Sequence, residues 1–199
     1  MFVTFEGIDG SGKSTQAELL ADALRGEGRN VVSTREPGGT ELGERIRELL
    51  LARGGEISPW AETALFAAAR AQLVEQVIYP ALRDHEDVVC DRYLDSSLAY
   101  QGLARGLGVE RVLELNLQAT RGLLPDRTFL VVLDPEEALR RAAGDRDRIE
   151  QEGVEFQAAV ERAYEELATM FPNRITRLDG ARPAGELARI VRDELRELS

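Results

Sequence analysis

The sequence predicts an α/β protein in which a five-stranded parallel sheet lies between two layers of helices, a three-layer α/β/α fold. Strand-like and helix-like patterns alternate along the whole chain, and this alternation favours parallel strands joined by crossover helices. The chain has 199 residues, of which 43% are hydrophobic, so a single core accounts for its length. No repeat, low-complexity stretch or linker interrupts it, and we expect residues 1–199 to form one domain.

The predicted strands are short runs rich in β-branched, aromatic and other apolar residues, bounded by residues that favour turns. The first run begins almost at the amino terminus, and the third is more continuously apolar than the first two. The five runs are 2–6, 30–34, 87–91, 128–133 and 174–178.

The predicted helices are stretches in which apolar residues recur every three or four positions. Ser58 and Pro59 form a typical helix start, with a serine cap followed by proline in the first turn. Pro80 is expected to kink or end the helix that follows them. The helices are predicted over 14–25, 41–52, 61–79, a region beginning at 96–102, 109–122, 135–143, 154–170 and 183–198.

Composition excludes several classes of function. The net charge of −11 argues against a general nucleic-acid binder and against a polybasic membrane-surface protein. The single cysteine, Cys90, permits no intrachain disulfide, and no signal peptide or membrane span is evident, so we expect a cytoplasmic protein. His85, the only histidine, lies in a polar stretch and is interpreted as a loop residue, which disfavours histidine-based hydrolysis and His-rich metal sites.

Residues 7–14, Gly-Ile-Asp-Gly-Ser-Gly-Lys-Ser, follow the first strand directly and have the spacing of a phosphate-binding P-loop. The glycines allow the backbone N–H groups to turn inward, and the next helix adds the partial positive charge of its N-terminus. Lys13 supplies an ammonium for the β and γ phosphates of a nucleoside triphosphate, and the Ser14 hydroxyl is a candidate Mg²⁺ ligand. The predicted triphosphate contacts are Gly7, Asp9, Gly10, Ser11, Gly12, Lys13, Ser14 and Thr15.

The third strand ends in an acid followed by an arginine, Asp91 and Arg92. An apolar strand that ends in a carboxylate is typical of the Walker-B arrangement, which places an acid near Mg²⁺, so Asp91 joins Ser14 as a candidate metal ligand. Arg92 would point into the ligand crevice at the carboxyl ends of the strands. The alternative is that Asp91 caps the next helix and Arg92 forms a surface ion pair.

Four further groups of residues are candidates for ligand contacts. Arg35 follows the second strand, and Arg47 lies on the helix after it. Phe66 and Arg70 are four residues apart and share a helix face. Phe66 offers a flat apolar ring to a base, and Arg70 offers hydrogen-bond donors. The alternative is that Phe66 is a core residue, as a phenylalanine at such a position commonly is. Residues 95–102 offer hydroxyl and amide groups for a polar base edge.

The charged stretch 144–148 contains Arg146 and Arg148 and lies between two predicted helices. We interpret about 143–153 as a mobile lid whose arginine neutralises charge during phosphoryl transfer. A solvated turn is the alternative interpretation.

Taken together and in this order, these motifs resemble those of thymidylate kinases, which phosphorylate dTMP with ATP. The resemblance covers essentially the whole chain. It rests on Phe5-Glu6-Gly7, the P-loop, Thr34-Arg35-Glu36-Pro37-Gly38-Gly39, Leu65-Phe66-Ala67-Ala68-Ala69-Arg70, Cys90-Asp91-Arg92-Tyr93, Ser96-Ser97-Leu98-Ala99-Tyr100-Gln101-Gly102 and Asp147-Arg148-Ile149-Glu150.

The resemblance implies a role for each matching residue around the acceptor nucleotide. Phe66 would stack on thymine, Arg70 would donate to thymine O4, and Gln101 with Ser97 would read the N3 edge. Tyr100 would pack near the deoxyribose and help to exclude a 2′-hydroxyl. A further set would serve the acceptor's sugar and phosphate: Asp9 facing the 3′-hydroxyl, and Arg35, Arg47 and Arg92 binding the phosphate.

The family has two arrangements of its catalytic arginine, one inside the P-loop and one in the lid. This P-loop has Ile8, Asp9 and Ser11 at its variable positions and no arginine, so the chain resembles the lid type, which is mainly bacterial. Arg146 is our choice over Arg148 for the catalytic lid residue. The resemblance also implies a homodimer formed through helices on one face of the sheet.

The sequence therefore predicts an enzyme that converts ATP and dTMP to ADP and dTDP with Mg²⁺, aided by Lys13, Arg92 and a lid arginine. Another P-loop nucleotide kinase or a deoxynucleoside kinase is the alternative, although an uncharged nucleoside would not need several acceptor-site arginines. A regulatory nucleotide switch is a third possibility, but the guanine-reading Asn-Lys-x-Asp motif of GTPases is not found.

Overall fold

Five parallel strands form one sheet in the order β2-β3-β1-β4-β5. The computed structural model describes residues 1–142 and 147–196, with Glu150 described by its backbone alone. The sheet and the helices on both of its faces confirm the predicted three-layer fold. The strands are β1 Phe2–Glu6, β2 Val31–Arg35, β3 Asp87–Asp91, β4 Arg127–Val132 and β5 Ile175–Asp179.

The helices lie close to the predicted segments, with ends shifted by a few residues in most cases. Thr40 and Ser58 cap two of them, since their side-chain oxygens accept hydrogen bonds from Gly43 N and Ala61 N. The described helices are α1 Lys13–Gly26, α2 Glu41–Leu51, α3 Pro59–Leu73, α4 Tyr79–Arg83, α5 Leu94–Ser97, α6 Val109–Ala119, α7 Pro135–Arg141, α8 Val154–Met170 and α9 Ala184–Arg196, with π-helical turns at Val74–Ile78 and Leu98–Ala104 and a 3₁₀ turn at Glu150–Glu152.

Pro80 does not end the helical path that α3 begins. The chain passes from α3 through the π-helical turn Val74–Ile78 into α4, which continues to Arg83. Proline lacks a backbone N–H and its ring crowds the preceding turn, and the wider π-helical turn is one of the few ways to accommodate both effects. The π-helical turn therefore allows the helical path to continue beyond the predicted end at Tyr79.

Two apolar layers cover the two faces of the sheet. In β1, Phe2 joins the core beneath the α3 and α8 side, and its neighbour Val3 joins the core that contains residues of α1 and α9. Alternate residues of a strand point to opposite faces, so this division shows that β1 is buried from both sides. A third, smaller cluster that includes Ile46 and Ala69 joins α2 to α3.

The strand order determines where the loops of the site meet. Asp91 at the end of β3 is in register with Phe5 of β1 and with Arg35 of β2. The carboxyl ends of these three parallel strands therefore lie at one edge of the sheet, next to the point where the order of the strands reverses. Within 1–142 and 147–196, no helix is long and apolar enough to cross a membrane.

Candidate active site

The loop after β1 turns sharply and leads directly into α1, whose first residue is Lys13. Gly7 has φ 140°, and a side-chain carbon at that position would lie 2.5 Å from the Val131 carbonyl oxygen. Gly10 has φ 83° and faces the backbone of α7 at Ala138. The left-handed conformations and this close approach require glycine at both positions.

An open cleft surrounds the P-loop and the start of α1. It brings together most of the predicted triphosphate contacts, and it adds residues that the sequence-based reasoning missed. Among these, Gly180 and Arg182 follow β5, and Arg141 ends α7 and donates to the Gly180 carbonyl at 3.0 Å. The rule that ligands bind at the carboxyl ends of parallel strands would have found the turn after β5. The predicted residues in the cleft are Gly10, Ser11, Gly12, Lys13, Ser14 and Thr15.

The ammonium of Lys13 is buried and lies against Asp9. Lys13 Nζ donates to Asp9 Oδ1 at 2.9 Å and reaches the Ile8 carbonyl at 3.4 Å. Arg92 Nη2 donates to the same Asp9 oxygen at 2.8 Å. Burial acts to raise the pKa of Asp9, but the charges of Arg92 and Lys13 outweigh it and hold that pKa well below its usual range. Asp9 is therefore an ionised carboxylate between two cations.

Ser14 and Asp91 meet beside the P-loop, as predicted for a magnesium site. Ser14 Oγ donates to Asp91 Oδ2 at 2.5 Å, and Asp91 Oδ1 is buried without a hydrogen-bond partner. The cap of α5 is Tyr93, so Asp91 does not have the alternative role of a helix cap. The described ranges contain no group of three or more acidic, histidine or cysteine residues placed so that they could hold a metal ion. A hydroxyl and a carboxylate suit Mg²⁺, which binds few protein ligands and keeps waters and phosphate oxygens.

Arg92 occupies a strained backbone position at the end of β3. Its φ of 68° is in the left-handed region, which non-glycine residues rarely adopt. Its guanidinium also donates to Ser96 Oγ and to the Tyr164 hydroxyl, each at 3.1 Å. These contacts hold the Arg92 side chain in the interior, where it is only 13% exposed, and exclude the alternative of a surface ion pair.

The buried carboxyl group of Glu6 accepts hydrogen bonds from Ser96 and Tyr164, two hydroxyl partners of Arg92. Its oxygens accept hydrogen bonds from Tyr93 N at 2.7 Å, from Ser96 Oγ at 2.6 Å and from the Tyr164 hydroxyl at 2.9 Å. Burial, reinforced by the charge of Asp95, raises the pKa of Glu6 to about 7. The sequence-based reasoning used Glu6 only as part of a motif, although an acid at the end of an apolar strand is a visible signal.

A second cavity lies on the other side of Asp9 and contains most of the predicted acceptor-site residues. The π-helical turn Leu98–Ala104 forms one wall, and Phe66 of α3 is half-buried at another. Phe66 is thus exposed to the cavity as well as packed against the core. Arg47 enters from α2 and donates to the Pro37 carbonyl at 3.0 Å. The predicted residues that line this cavity are Asp9, Arg47, Phe66, Arg92, Ser97, Tyr100 and Gln101.

Two predicted acceptor-site residues do not line this cavity. Arg35 is 53% exposed, donates to both carboxylate oxygens of Glu44 at 3.0 and 3.1 Å, and lies instead in a cleft beside Asp91. Arg70 is 1% exposed. The assigned roles of Arg35 in phosphate binding and of Arg70 in reading thymine O4 remain predictions.

Arg70 lies behind the cavity wall with every side of its guanidinium engaged. Its Nε donates to Glu36 at 2.7 Å, and Nη2 donates to the Tyr93 carbonyl at 3.1 Å. Nη1 donates to Ser97 Oγ at 3.0 Å and to Asn116. A hydrogen bond from Arg70 to a bound base would therefore require one of these contacts to be exchanged.

The predicted lid residues divide between described and undescribed parts of the chain. Arg146 lies outside the described residues. Arg148 is at the acceptor-cavity side, where Nη2 donates to Glu62 at 2.5 Å and Nε donates to the Leu50 carbonyl at 2.8 Å. Its neighbours Asp147 and Ile149 line the acceptor cavity.

A P-loop whose acidic residue also faces a second polar cavity, on a sheet of this strand order, defines the class of P-loop nucleotide kinases. A sequence model of the family described as thymidylate kinase matches residues 5–190. The thymidylate kinase of Leifsonia xyli subsp. xyli is 52% identical over 198 residues, which cover 98% of this chain and 94% of that protein. The chain belongs to the thymidylate kinase family.

Two further comparisons agree with this assignment. The thymidylate kinase of Caldanaerobacter subterraneus subsp. tengcongensis is 49% identical over 180 residues, which cover 90% of this chain and 86% of that protein. A crystal structure of thymidylate kinase from Ehrlichia chaffeensis has a TM-score of 0.76 and 36% identity to this chain, and the match covers 89% of this chain and 91% of that one.

Proposed function

We propose that this protein acts as one kinase domain and transfers the γ-phosphate of ATP to dTMP, giving ADP and dTDP for dTTP synthesis. The observation that carries the proposal is the meeting of two cations at one atom, Asp9 Oδ1. Lys13 reaches it from the P-loop cleft at 2.9 Å, and Arg92 reaches it from the acceptor cavity at 2.8 Å. A phosphoryl group that passes between the two cavities would pass beside both cations.

Catalysis by these residues would consist of alignment and charge neutralisation. The P-loop amides and Lys13 would hold the donor phosphates, and Arg92 with Arg47 would hold the acceptor phosphate in line with them. Asp9, kept ionised by its neighbours, would accept a hydrogen bond from the sugar 3′-hydroxyl. In-line transfer between two phosphates requires no covalent enzyme intermediate.

Mg²⁺ is the proposed cofactor, held by Ser14 and by the carboxylate of Asp91. The unpartnered Asp91 Oδ1 and the nearby Ser14 hydroxyl are the observations that support this assignment. When bound, the ion would neutralise charge on the β and γ phosphates. Ser14 and Asp91 would also orient those phosphates toward the acceptor cavity.

Arg146 is proposed as the catalytic lid residue, with Arg148 as the alternative. The contacts of Arg148 with Glu62 and the Leu50 carbonyl favour Arg146 because they hold Arg148 against the acceptor-cavity wall. Closure of a lid over both substrates would exclude water, which would otherwise compete for the γ-phosphate.

We also propose that the protein is a cytoplasmic homodimer. Leu42 and Leu49 of α2 are exposed, as is Trp60 at the start of α3, where the Arg111 guanidinium of α6 lies 4.6 Å from the indole centre. These side chains belong to neighbouring helices and give that surface an apolar character, which suits association with a second copy.

A panel of acceptors tests the proposed reaction. With ATP and Mg²⁺, we expect rapid phosphorylation of dTMP, slower reaction with dUMP, and little or none with thymidine or AMP. The reason is that Arg47, Arg92 and Phe66 line the acceptor cavity, where the two arginines would bind a phosphate and the phenylalanine ring would stack on a pyrimidine base. Phosphorylation of thymidine without phosphorylation of dTMP would disprove the proposal and favour a deoxynucleoside kinase.

A further inference from the structure

Glu62 is a completely buried carboxylate that accepts hydrogen bonds from three different residues. It lies in the first turn of α3 and is 0% exposed. Gln101 Nε2 donates to Oε1 at 2.8 Å, Arg105 Nε donates to Oε1 at 2.7 Å, and Arg148 Nη2 donates to Oε2 at 2.5 Å. Burial of a carboxylate costs desolvation energy that these donors have to offset, so packing alone does not account for an acid at this position.

The charge state of Glu62 determines which end of the Gln101 amide faces it. Burial acts to raise the pKa of Glu62, but the hydrogen bonds from Arg148 and Arg105 outweigh it and lower that pKa. An ionised carboxylate only accepts hydrogen bonds, so Gln101 has to present its NH₂ group to Glu62. The orientation of the amide therefore follows from chemistry and does not depend on telling its nitrogen from its oxygen.

Gln101 is also one of the residues that line the acceptor cavity. With Nε2 held by Glu62, its amide oxygen is the group that remains for a ligand. Thymine carries a hydrogen on N3, which suits an acceptor, whereas neutral cytosine carries a lone pair there. Uracil has the same N3–H as thymine, so the Gln101 amide oxygen would accept a hydrogen bond from either base.

We infer that Glu62 is a positioning residue that fixes the Gln101 amide as an acceptor for thymine N3–H and so rejects dCMP. The inference rests on the proposed dTMP kinase activity and adds a determinant of base selection to it. Arg105 and Arg148 also donate to the carboxylate, and Arg105 pairs with Glu152 at 2.8 Å. Arg148, within the predicted lid, thus contacts the same carboxylate that orients the Gln101 amide.

The substitution Glu62→Gln tests this role with a nearly isosteric group. The introduced amide would offer both a donor and an acceptor, so the Gln101 amide could turn over and donate to cytosine N3. We expect the ratio of kcat/KM for dTMP to kcat/KM for dCMP to fall by roughly tenfold or more, since rejection by a hydrogen-bonding group would be lost. The ratio for dTMP to dUMP and the KM for ATP should stay within about twofold.

Glu75→Gln provides the matched control. Glu75 belongs to the exposed ion pair with Arg121, so the same chemical change there should leave every ratio unchanged. Thermal unfolding of each variant verifies that the fold is retained. A folded Glu62→Gln variant with the wild-type preference for dTMP over dCMP would overturn the inference.

Side-chain NMR tests the orientation in the wild-type protein, independently of activity. The Gln101 Nε2 protons, assigned by their loss in Gln101→Glu, should exchange slowly with solvent before dTMP is added and equally slowly afterwards. Protection that develops only with dTMP would overturn the inference, because the amide would then be oriented by the ligand. If the wild-type enzyme failed to phosphorylate dTMP, only the proposed function would be rejected, and these protons would still report on Glu62.

Discussion

Phe66 both packs against the core and lines the acceptor cavity. It is half-buried on α3. The sequence left open whether it was a core residue or a base platform; the structure places it between the core and the acceptor cavity, and the role as a base platform stays a prediction. Its aromatic ring offers a flat apolar surface that stacks favourably on a pyrimidine.

Replacing Phe66 with Ala should therefore weaken dTMP binding selectively. We expect the KM for dTMP to rise on the order of tenfold to a hundredfold, because loss of base stacking costs about 1–3 kcal/mol. The KM for ATP should change by less than about twofold, since the P-loop cleft lies on the other side of Asp9. Phe66→Leu, which keeps apolar volume, is the control and should have an intermediate effect. Equal increases for both substrates would mean that the ring acts only through packing.

At the scale of an element, α8 carries a buried acid away from the proposed chemistry. Glu161 accepts a hydrogen bond from Leu133 N at 3.3 Å, and its other carboxyl oxygen is buried without a partner. Burial, together with the nearby charge of Glu165, raises the pKa of Glu161 to about 7. In the folded protein Glu161 is therefore mainly protonated below about pH 7.

This raised pKa predicts how stability depends on pH. In the unfolded chain Glu161 ionises near its ordinary pKa of 4.5, whereas in the folded protein it ionises near 7. Its contribution to stability is thus fully present below pH 4.5 and is lost as the pH rises through about 7. The variant Glu161→Gln has no carboxyl group to ionise and should not lose this stability. Its free energy of unfolding, relative to that of wild type, should therefore rise by about 1–2 kcal/mol between about pH 5 and pH 8.

Denaturant unfolding at about pH 5 and pH 8 measures this difference directly. Glu166→Gln is a suitable control because Glu166 is exposed on the same helix, and it should shift stability equally at both pH values. If Glu161→Gln had the same effect at both pH values, the raised pKa would be wrong.

At the scale of the whole molecule, the strand order places the two cavities side by side. The P-loop follows β1, and Arg92 follows the neighbouring strand β3, so Lys13 and Arg92 come from adjacent strand ends. The helices α2 and α3 then close the acceptor side and carry exposed apolar residues on the outside of the molecule. The proposed dimer would bury that outer surface.

Replacing Leu49 with Asp should disrupt the proposed dimer. Leu49 is 61% exposed on α2, so the substitution adds little strain to the monomer but puts a charge into an apolar interface. Analytical ultracentrifugation should find a dimer for wild type and a monomer for Leu49→Asp. Leu124→Asp, at an exposed leucine ahead of β4, is the control and should remain dimeric. A monomeric wild-type protein at micromolar concentration would refute the dimer.

Much of the fold was predictable because its signals are local. The segments 87–91 and 154–170 were predicted with the boundaries that β3 and α8 have, since apolar runs and helical periodicity are properties of neighbouring residues. The path through Pro80 was not predictable, because the chain accommodates a proline by changing the width of one turn, and no local pattern specifies that choice.

The sequence by itself determined the class of fold, the P-loop and the order of the motifs, since glycine spacing, periodicity and strand ends are written along the chain. Only the tertiary structure decided which polar groups remain available for ligands. Gln101 meets Glu62 across 39 positions, and Ser96 meets Glu6 across 90. Arg70, predicted as a donor to thymine O4, is surrounded by four partner residues from three other segments. Buried hydrogen bonds join residues that are distant in sequence, and their pairing is fixed only when the helices pack on the sheet.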